Sequence, residues 1–368
     1  MNEQGAAPDE TPAEEAGRQF CPSYPLFDIR TPEERQLGIP TGSVSISVAG
    51  LVQQCRENEV FRDHGGYLIC AEGIRSGEAV ALLRSFGFHG FSSVAGGFRA
   101  WVSAQLPVGY PAGLDERQVE RYARHLVMPQ VGPPGQKKLL DSRILLVGMG
   151  GLNSPVALYL AAAGVGTLGL VDFDTVERSN LQRQIIHGER TLGISKARSA
   201  GERVNDLNPA TATVIYEQKI TESNAGSLVE SWDMVVDGTD NFSSRYALNQ
   251  ACIRQSKPLV YGAVMRFQGQ VSVFWPAYAG TQRGPCFRCL FPTEPPAVDT
   301  PGCAQAGVLG VLPGIVGTLQ ATEALKLVLG IGQPLIGSLL MIDALSMEFR
   351  KTGVRADPDC PACKLQGP

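Results

Sequence analysis

Residues Arg143 to Gln184 read RILLVGMGGLNSPVALYLAAAGVGTLGLVDFDTVERSNLQRQ. Ile144 to Val147 is a continuous apolar run, as a strand buried on both faces requires. Gly148, Gly150 and Gly151 then let the backbone turn tightly, and an apolar helix follows with Pro155 in its first turn. A second apolar strand ends at Asp172. The succession predicts an α/β chain with a Rossmann-like domain. Such a turn presents unpaired N–H groups at the positive end of a helix, a natural seat for phosphate, although glycines serve equally in plain tight packing. Asp172 adds the acid that holds a ribose hydroxyl one strand later.

The polar loop that follows separates two kinds of nucleotide chemistry. Asp172, Asp174, Asn180, Gln182, Arg183 and, further on, Lys196 set acids, amides and fixed cations beside the phosphate seat. Hydride transfer needs a flat apolar slot, whereas chemistry at a triphosphate needs cations on the oxygens and a carboxylate for magnesium. The residues meet the second need. The chain contains no GxxxxGK[ST], so the phosphates are held without a P-loop.

GMGGLNSP, DFDTVERSNLQRQ, VVDGTDNFSSRYALN and two CxxC pairs together resemble the MoeB/ThiF family, adenylyltransferases that activate ubiquitin-like sulfur-carrier proteins. The similarity spans about Leu114 to the C-terminus. One departure is Asn153, where the family usually has glycine; asparagine tolerates left-handed backbone better than other residues with a side chain. The resemblance implies ATP and Mg2+ as cofactors and a homodimer. In the family a segment like RYARH crosses to the other protomer, which would put Arg124 on the partner's ATP phosphates; the alternative for Arg124 is a solvated place on a charge-rich helix. DMVVDGTDN is another strand with acid at its C-terminal tip, where ligands of open α/β sheets bind, so Asp240 is assigned to magnesium or the adenylate, with Asp237 in reserve. PLVYGAV, GQVSVFWP and GSLLMIDAL continue as strands, the later ones antiparallel, giving a mixed sheet. The apolar run Ala306 to Leu319 is too short and interrupted to span a bilayer and is read as a core helix.

Cys286 and Cys289 in GPCFRC, with Cys360 and Cys363 in DCPAC, supply the four thiolates of a closed structural zinc site, Zn2+ tying the C-terminal tail to the sheet. Cys303, in TPGCAQAG, corresponds to a cysteine the family keeps after its adenylation site; it is either a resolving or acyl-accepting thiol or a bystander. The scattered histidines, His64, His89, His125 and His187, give no support to general acid–base catalysis.

Ahead of this domain lie three further segments. Residues 1–20, rich in Glu, Ala, Pro and Gln, are read as a disordered tail. Residues 21–108 form a small α/β domain: LFDIRTPEE is a strand ending in Asp28 and Arg30, and GYLICAEGIRSGEAVALLRSFGFHGFSSVAGGFRAW gives strand, loop, helix, strand and glycine turn. This succession resembles the rhodanese family, centred on the loop from Cys70 to Arg75. A cysteine at a strand end, ringed by N–H groups and facing a helix N-terminus, becomes a nucleophilic thiolate able to carry sulfur as a persulfide. The alternative is a silent module with a buried cysteine. Four residues separate Cys70 from Arg75, the spacing that fits sulfur, whereas C-x5-R cups phosphate. Glu72 inside the loop disfavours anionic thiosulfate and points to a cysteine desulfurase as donor. GYPAG at 109–113 is a linker, and 114–368 is the adenylation domain.

The 368 residues are 43% hydrophobic, enough for two or three cores, and the net charge of −4 argues against a nucleic-acid surface. Nine cysteines, some in CxxC pairs and without a signal peptide, predict a reducing cytoplasm with metal and thiol chemistry. The parts combine into adenylation of a sulfur carrier's C-terminal glycine, with the molybdopterin-synthase small subunit as first choice, followed by attack of a Cys70 persulfide to give a thiocarboxylate. A thiazole-pathway or other carrier, a small-molecule substrate and a non-catalytic scaffold are the alternatives.

Overall fold

The computed structural model describes residues 9–57, 64–278, 283–294 and 307–364. They form two compact units that divide between Lys137 and Lys138. The division falls after helix Glu116–Leu126, later in the chain than the Pro/Gly linker expected at 109–113.

In the first unit β1 (Glu10–Thr11), β2 (Leu26–Asp28), β4 (Val44–Ser45), β5 (Gly66–Ile69) and β6 (Phe91–Val94) make a parallel sheet in the order β1-β6-β5-β2-β4. The strands β3 (Ile39–Pro40) and β7 (Val108–Gly109) pair separately and antiparallel. Side chains alternate across the sheet, so each face has its own core. Phe27, Leu68 and Phe91 pack with Leu51, Val80 and Leu83 on one side; Leu26, Tyr67 and Ile69 pack with Trp101 on the other. The second core corrects the expected tail. Glu10 and Thr11 add an edge strand beside β6, and helix Ala13–Gln19 buries Ala13 and Ala16 in the Trp101 cluster. Two alanines three residues apart suffice to seat a helix against large aromatic neighbours, so a segment without large apolar residues still folds.

In the second unit the strands are β8 (Arg143–Val147), β9 (Thr167–Val171), β10 (Ala212–Tyr216), β11 (Met234–Asp237), β12 (Leu259–Met265), β13 (Gln268–Phe274), β14 (Ser338–Asp343) and β15 (Glu348–Gly353). Their order is β10-β9-β8-β11-β12-β13-β14-β15, parallel through β12 and antiparallel beyond it. The chain runs outward from β8 through β9 and β10, then returns to β11 on the other side of β8. The β8/β11 boundary is therefore the switch point where the loops part and leave a crevice. Helix Asn153–Ala163 follows β8, and helix Leu312–Leu329 packs against it. That second helix begins at Leu312 with Pro313 in its first turn and the described residues 307–311 lie outside it, so it starts later than the apolar run implied. Among the described residues no helix is long and apolar enough to cross a membrane.

Candidate active sites

Gly148 turns the chain with φ at +83°, and a Cβ there would meet the carbonyl oxygen of Gly238 at 2.8 Å. Glycine is thus required on both counts. Asn153 does not take a left-handed backbone; it sits inside the helix, fully buried. Its Nδ2 donates to the carbonyl of Val147 at 3.0 Å, bonding the end of β8 to the helix that follows.

The turn opens onto a cavity of about 350 Å³. Gly148, Gly150, Gly151, Asp172, Asp174, Arg183, Lys196 and Asp240 all line it. Asp172 is buried, and its two oxygens accept from the N–H of Met149 (2.7 Å) and of Asp174 (2.8 Å). Burial raises its pKa, against the pull of these N–H groups and of Lys196. Lys196 begins helix Lys196–Leu207, capped by the Ser195 hydroxyl, and reaches Asp174 Oδ2 at 2.9 Å. Asp240 is exposed; among the described residues its carboxylate accepts a long contact of 3.4 Å from Asn241.

Two sequence assignments lie elsewhere. Asn180 is not part of the cavity wall: its Oδ1 accepts from the N–H of Glu177, closing the short turn Arg178–Asn180. Asp237, the reserve candidate, is fully buried at the tip of β11, accepting from the N–H and hydroxyl of Thr239. Burial raises its pKa, opposed by Arg245 at 3.7 Å. Conversely, the wall includes Phe173, Gln184, Lys219 and Arg245, which the sequence reading did not single out. Arg245 and Gln184 lie inside the quoted motifs and were findable there; Lys219 follows β10 with no motif around it.

Cys70 follows β5 and faces the start of helix Ile74–Ser85. Gly73 caps that helix at φ +92°, a conformation that brings its N–H to 3.1 Å from the buried sulfur. The Ser76 hydroxyl reaches the sulfur at 3.3 Å and the Ser93 hydroxyl at 2.8 Å. Burial raises the Cys70 pKa, but the Ser76 hydroxyl and the N–H groups of Ser76, Glu72 and Gly73 outweigh it, so the pKa is lowered. Arg75 is not turned over to a ligand: its guanidinium forks onto both oxygens of Glu34. Glu72 is exposed, 3.9 Å from Arg99. Behind this loop, Arg30 and Asp28 form a buried bidentate pair at 2.6 and 2.9 Å, and Arg30 stacks 3.7 Å from the Phe98 ring centre.

Cys286, Cys289, Cys360 and Cys363 converge with all four sulfurs within 4.8 Å of one another. Three of the contacts measure 3.5, 3.6 and 3.8 Å. Thiolates bound at about 2.3 Å to one tetrahedral zinc stand about 3.8 Å apart, so the cluster fits a single ion. The hydrogen bond with Cys286 lowers the pKa of Cys289, while burial raises that of Cys363. Cys303 lies outside the described residues. Arg124 is exposed in helix Glu116–Leu126 of the first unit.

A family model described as the ThiF family matches residues 122–362, and one described as a rhodanese-like domain matches residues 11–104. The chain belongs to the ThiF family. It is 48% identical over 248 residues to the sulfur carrier protein adenylyltransferase of Thermus thermophilus, covering 67% of this chain and 92% of that protein. The probable adenylyltransferase/sulfurtransferase MoeZ of Mycobacterium tuberculosis is 47% identical over 262 residues, 71% of this chain and 67% of MoeZ. The adenylyltransferase and sulfurtransferase MOCS3 of Sus scrofa is 47% identical over 258 residues, 70% of this chain and 56% of MOCS3. Among solved structures, E. coli MccB with ATP superposes with a TM-score of 0.56 at 19% identity, covering 66% of this chain and 73% of MccB, a likeness of fold alone.

Proposed function

We propose that this ThiF-family chain is an adenylyltransferase with sulfurtransferase activity, acting on a ubiquitin-like sulfur-carrier protein. The observation that carries the reading is the cavity in which the glycine turn, Asp172, Arg183, Lys196 and Asp240 meet, in a chain that also holds an activated Cys70. The carrier's C-terminal glycine carboxylate attacks the α-phosphorus of ATP and pyrophosphate leaves. A carboxylate is a poor nucleophile, so the protein's contribution is positioning and charge neutralisation. In this role Arg183 and Lys196 stabilise phosphate charge, Asp172 accepts from the ribose, and Arg124 arrives from the partner of a homodimer. The open carboxylate of Asp240 suits a hard cation; Mg2+ bound there would neutralise the phosphates.

The terminal sulfur of a Cys70 persulfide then attacks the acyl-adenylate carbonyl and AMP departs, leaving an acyl disulfide. A Cys303 thiolate attacking the Cys70 sulfur releases the thiocarboxylate and leaves a Cys70–Cys303 disulfide, which a dithiol reductant resets. Glu34 on Arg75 and the charge of Glu72 leave the loop poorly suited to a small anionic donor, which supports a cysteine desulfurase persulfide as the source. Zn2+ in the four-cysteine cluster is structural, and the site of action is the cytoplasm. The molybdopterin-synthase small subunit is the favoured carrier.

ATP–pyrophosphate exchange tests this with each candidate carrier and with a carrier lacking its terminal glycine. Exchange with one intact carrier alone is expected and names the pathway. No exchange with any carrier would move the weight to a small-molecule substrate or a binding role.

A further inference from the structure

His187 belongs to none of the chemistry above, yet both its ring nitrogens are engaged. The side chain is buried; Nε2 lies 2.9 Å from the carbonyl oxygen of Met149 and Nδ1 lies 2.9 Å from the Ser199 hydroxyl. A carbonyl only accepts, so the proton resides on Nε2; Nδ1 is then the acceptor and Ser199 the donor. Burial lowers the His187 pKa, in keeping with a neutral ring.

Both partners belong to elements of the nucleotide cavity. Met149 lies inside the glycine turn, and its own N–H is already held by Asp172 at 2.7 Å. With its carbonyl held by His187, two successive peptide groups are fixed. In a trans peptide the N–H points opposite to the carbonyl, so the Gly150 N–H is aimed away from His187; Gly150 lines the cavity. Ser199 stands one turn beyond Lys196 on the same helix. His187 itself is not on the cavity wall.

We infer that His187 is a positioning residue for nucleotide binding, its neutral imidazole clamping the Met149 carbonyl of the glycine turn to the helix that carries Lys196. Neither element alone fixes the distance between the N–H groups and the ammonium that a triphosphate must satisfy together. The inference rests on ATP binding in this cavity.

Calorimetric titration of the full-length chain with magnesium-ATP tests it on His187→Leu, His187→Gln and Ser199→Ala, alongside carrier titration. His187→Leu should weaken ATP at least about tenfold, Ser199→Ala should weaken it several-fold, and His187→Gln, whose amide can donate to the Met149 carbonyl, should recover most of the affinity. Carrier affinity should stay at the wild-type value, which a general loss of structure would not spare. Wild-type ATP affinity in both His187→Leu and Ser199→Ala would overturn the inference while leaving adenylation standing. If His187→Leu does not fold, Ser199→Ala decides alone: a selective ATP loss supports the clamp and unchanged affinity overturns it. Absence of ATP binding by the wild type would overturn the adenylation reading, and this inference with it.

Discussion

The ammonium of Lys196 sits 2.9 Å from the carboxylate of Asp174, with the lysine side chain 9% exposed and the aspartate 48% exposed. The cation is thus held at the cavity wall by a partner that water can reach and a phosphate can replace. Lys196→Ala should lower the ATP–pyrophosphate exchange rate by about 10²–10³, the scale of losing one charge-stabilising donor. Asp174→Asn, which leaves the ammonium in place, should cost far less. Equal losses in the two variants would show that the pair serves the fold and not the phosphate.

Cys70 carries the pH prediction. Its pKa is lowered, so the reactive thiolate forms at a lower pH than in an ordinary cysteine and alkylation reaches its plateau earlier on the way up. Ser76→Ala removes the hydroxyl at 3.3 Å and should move that inflection upward, slowing alkylation at neutral pH. Peptide-resolved mass spectrometry after timed iodoacetamide treatment distinguishes Cys70 from the other thiols. An unmoved inflection would assign the lowering to the loop N–H groups alone.

The residues legible in the sequence are those whose chemistry depends on local spacing. Gly148, Gly150 and Gly151 on one turn, Asp172 and Asp240 at strand tips, and the paired CxxC knuckles follow from periodicity and topology, and the structure gathers them as the spacing implies. His187 and Lys219 are isolated in sequence; tertiary packing alone gives them neighbours. Asn180 stands between acids and cations in the motif, as a ligand would, and in the fold its Oδ1 closes its own turn beside the cavity wall it does not line. Ala13 and Ala16 fall in the expected tail because small side chains carry little hydrophobic signal, even where a buried Trp101 awaits them.

The four-cysteine cluster should bind one metal ion per chain, measurable by elemental analysis. Cys363→Ser should reduce that stoichiometry and lower the thermal midpoint, since a bound ion would join Cys286 and Cys289 to Cys360 and Cys363. Retained metal with unchanged stability in this variant would exclude a structural four-thiolate site.

The Asp28–Arg30 pair gives the sharpest stability prediction. Both side chains are at most 2% exposed, and Arg30 also donates to the Gly38 carbonyl and stacks on Phe98. Asp28→Ala would strand a buried guanidinium, a change that costs about 3–5 kcal/mol because the remaining charge loses its partner without regaining water. The damage should spread to the persulfide loop, for the Phe98 N–H donates to the Cys70 carbonyl at 2.8 Å, and Phe98 is the ring on which Arg30 rests. Hydrogen exchange should therefore quicken in peptides covering β2 and β5 and the loop after Cys70, with Cys70 alkylation altered in parallel. Protection confined to wild-type values in those peptides would mean that Gly38 and Phe98 alone hold Arg30, and that the carboxylate is dispensable.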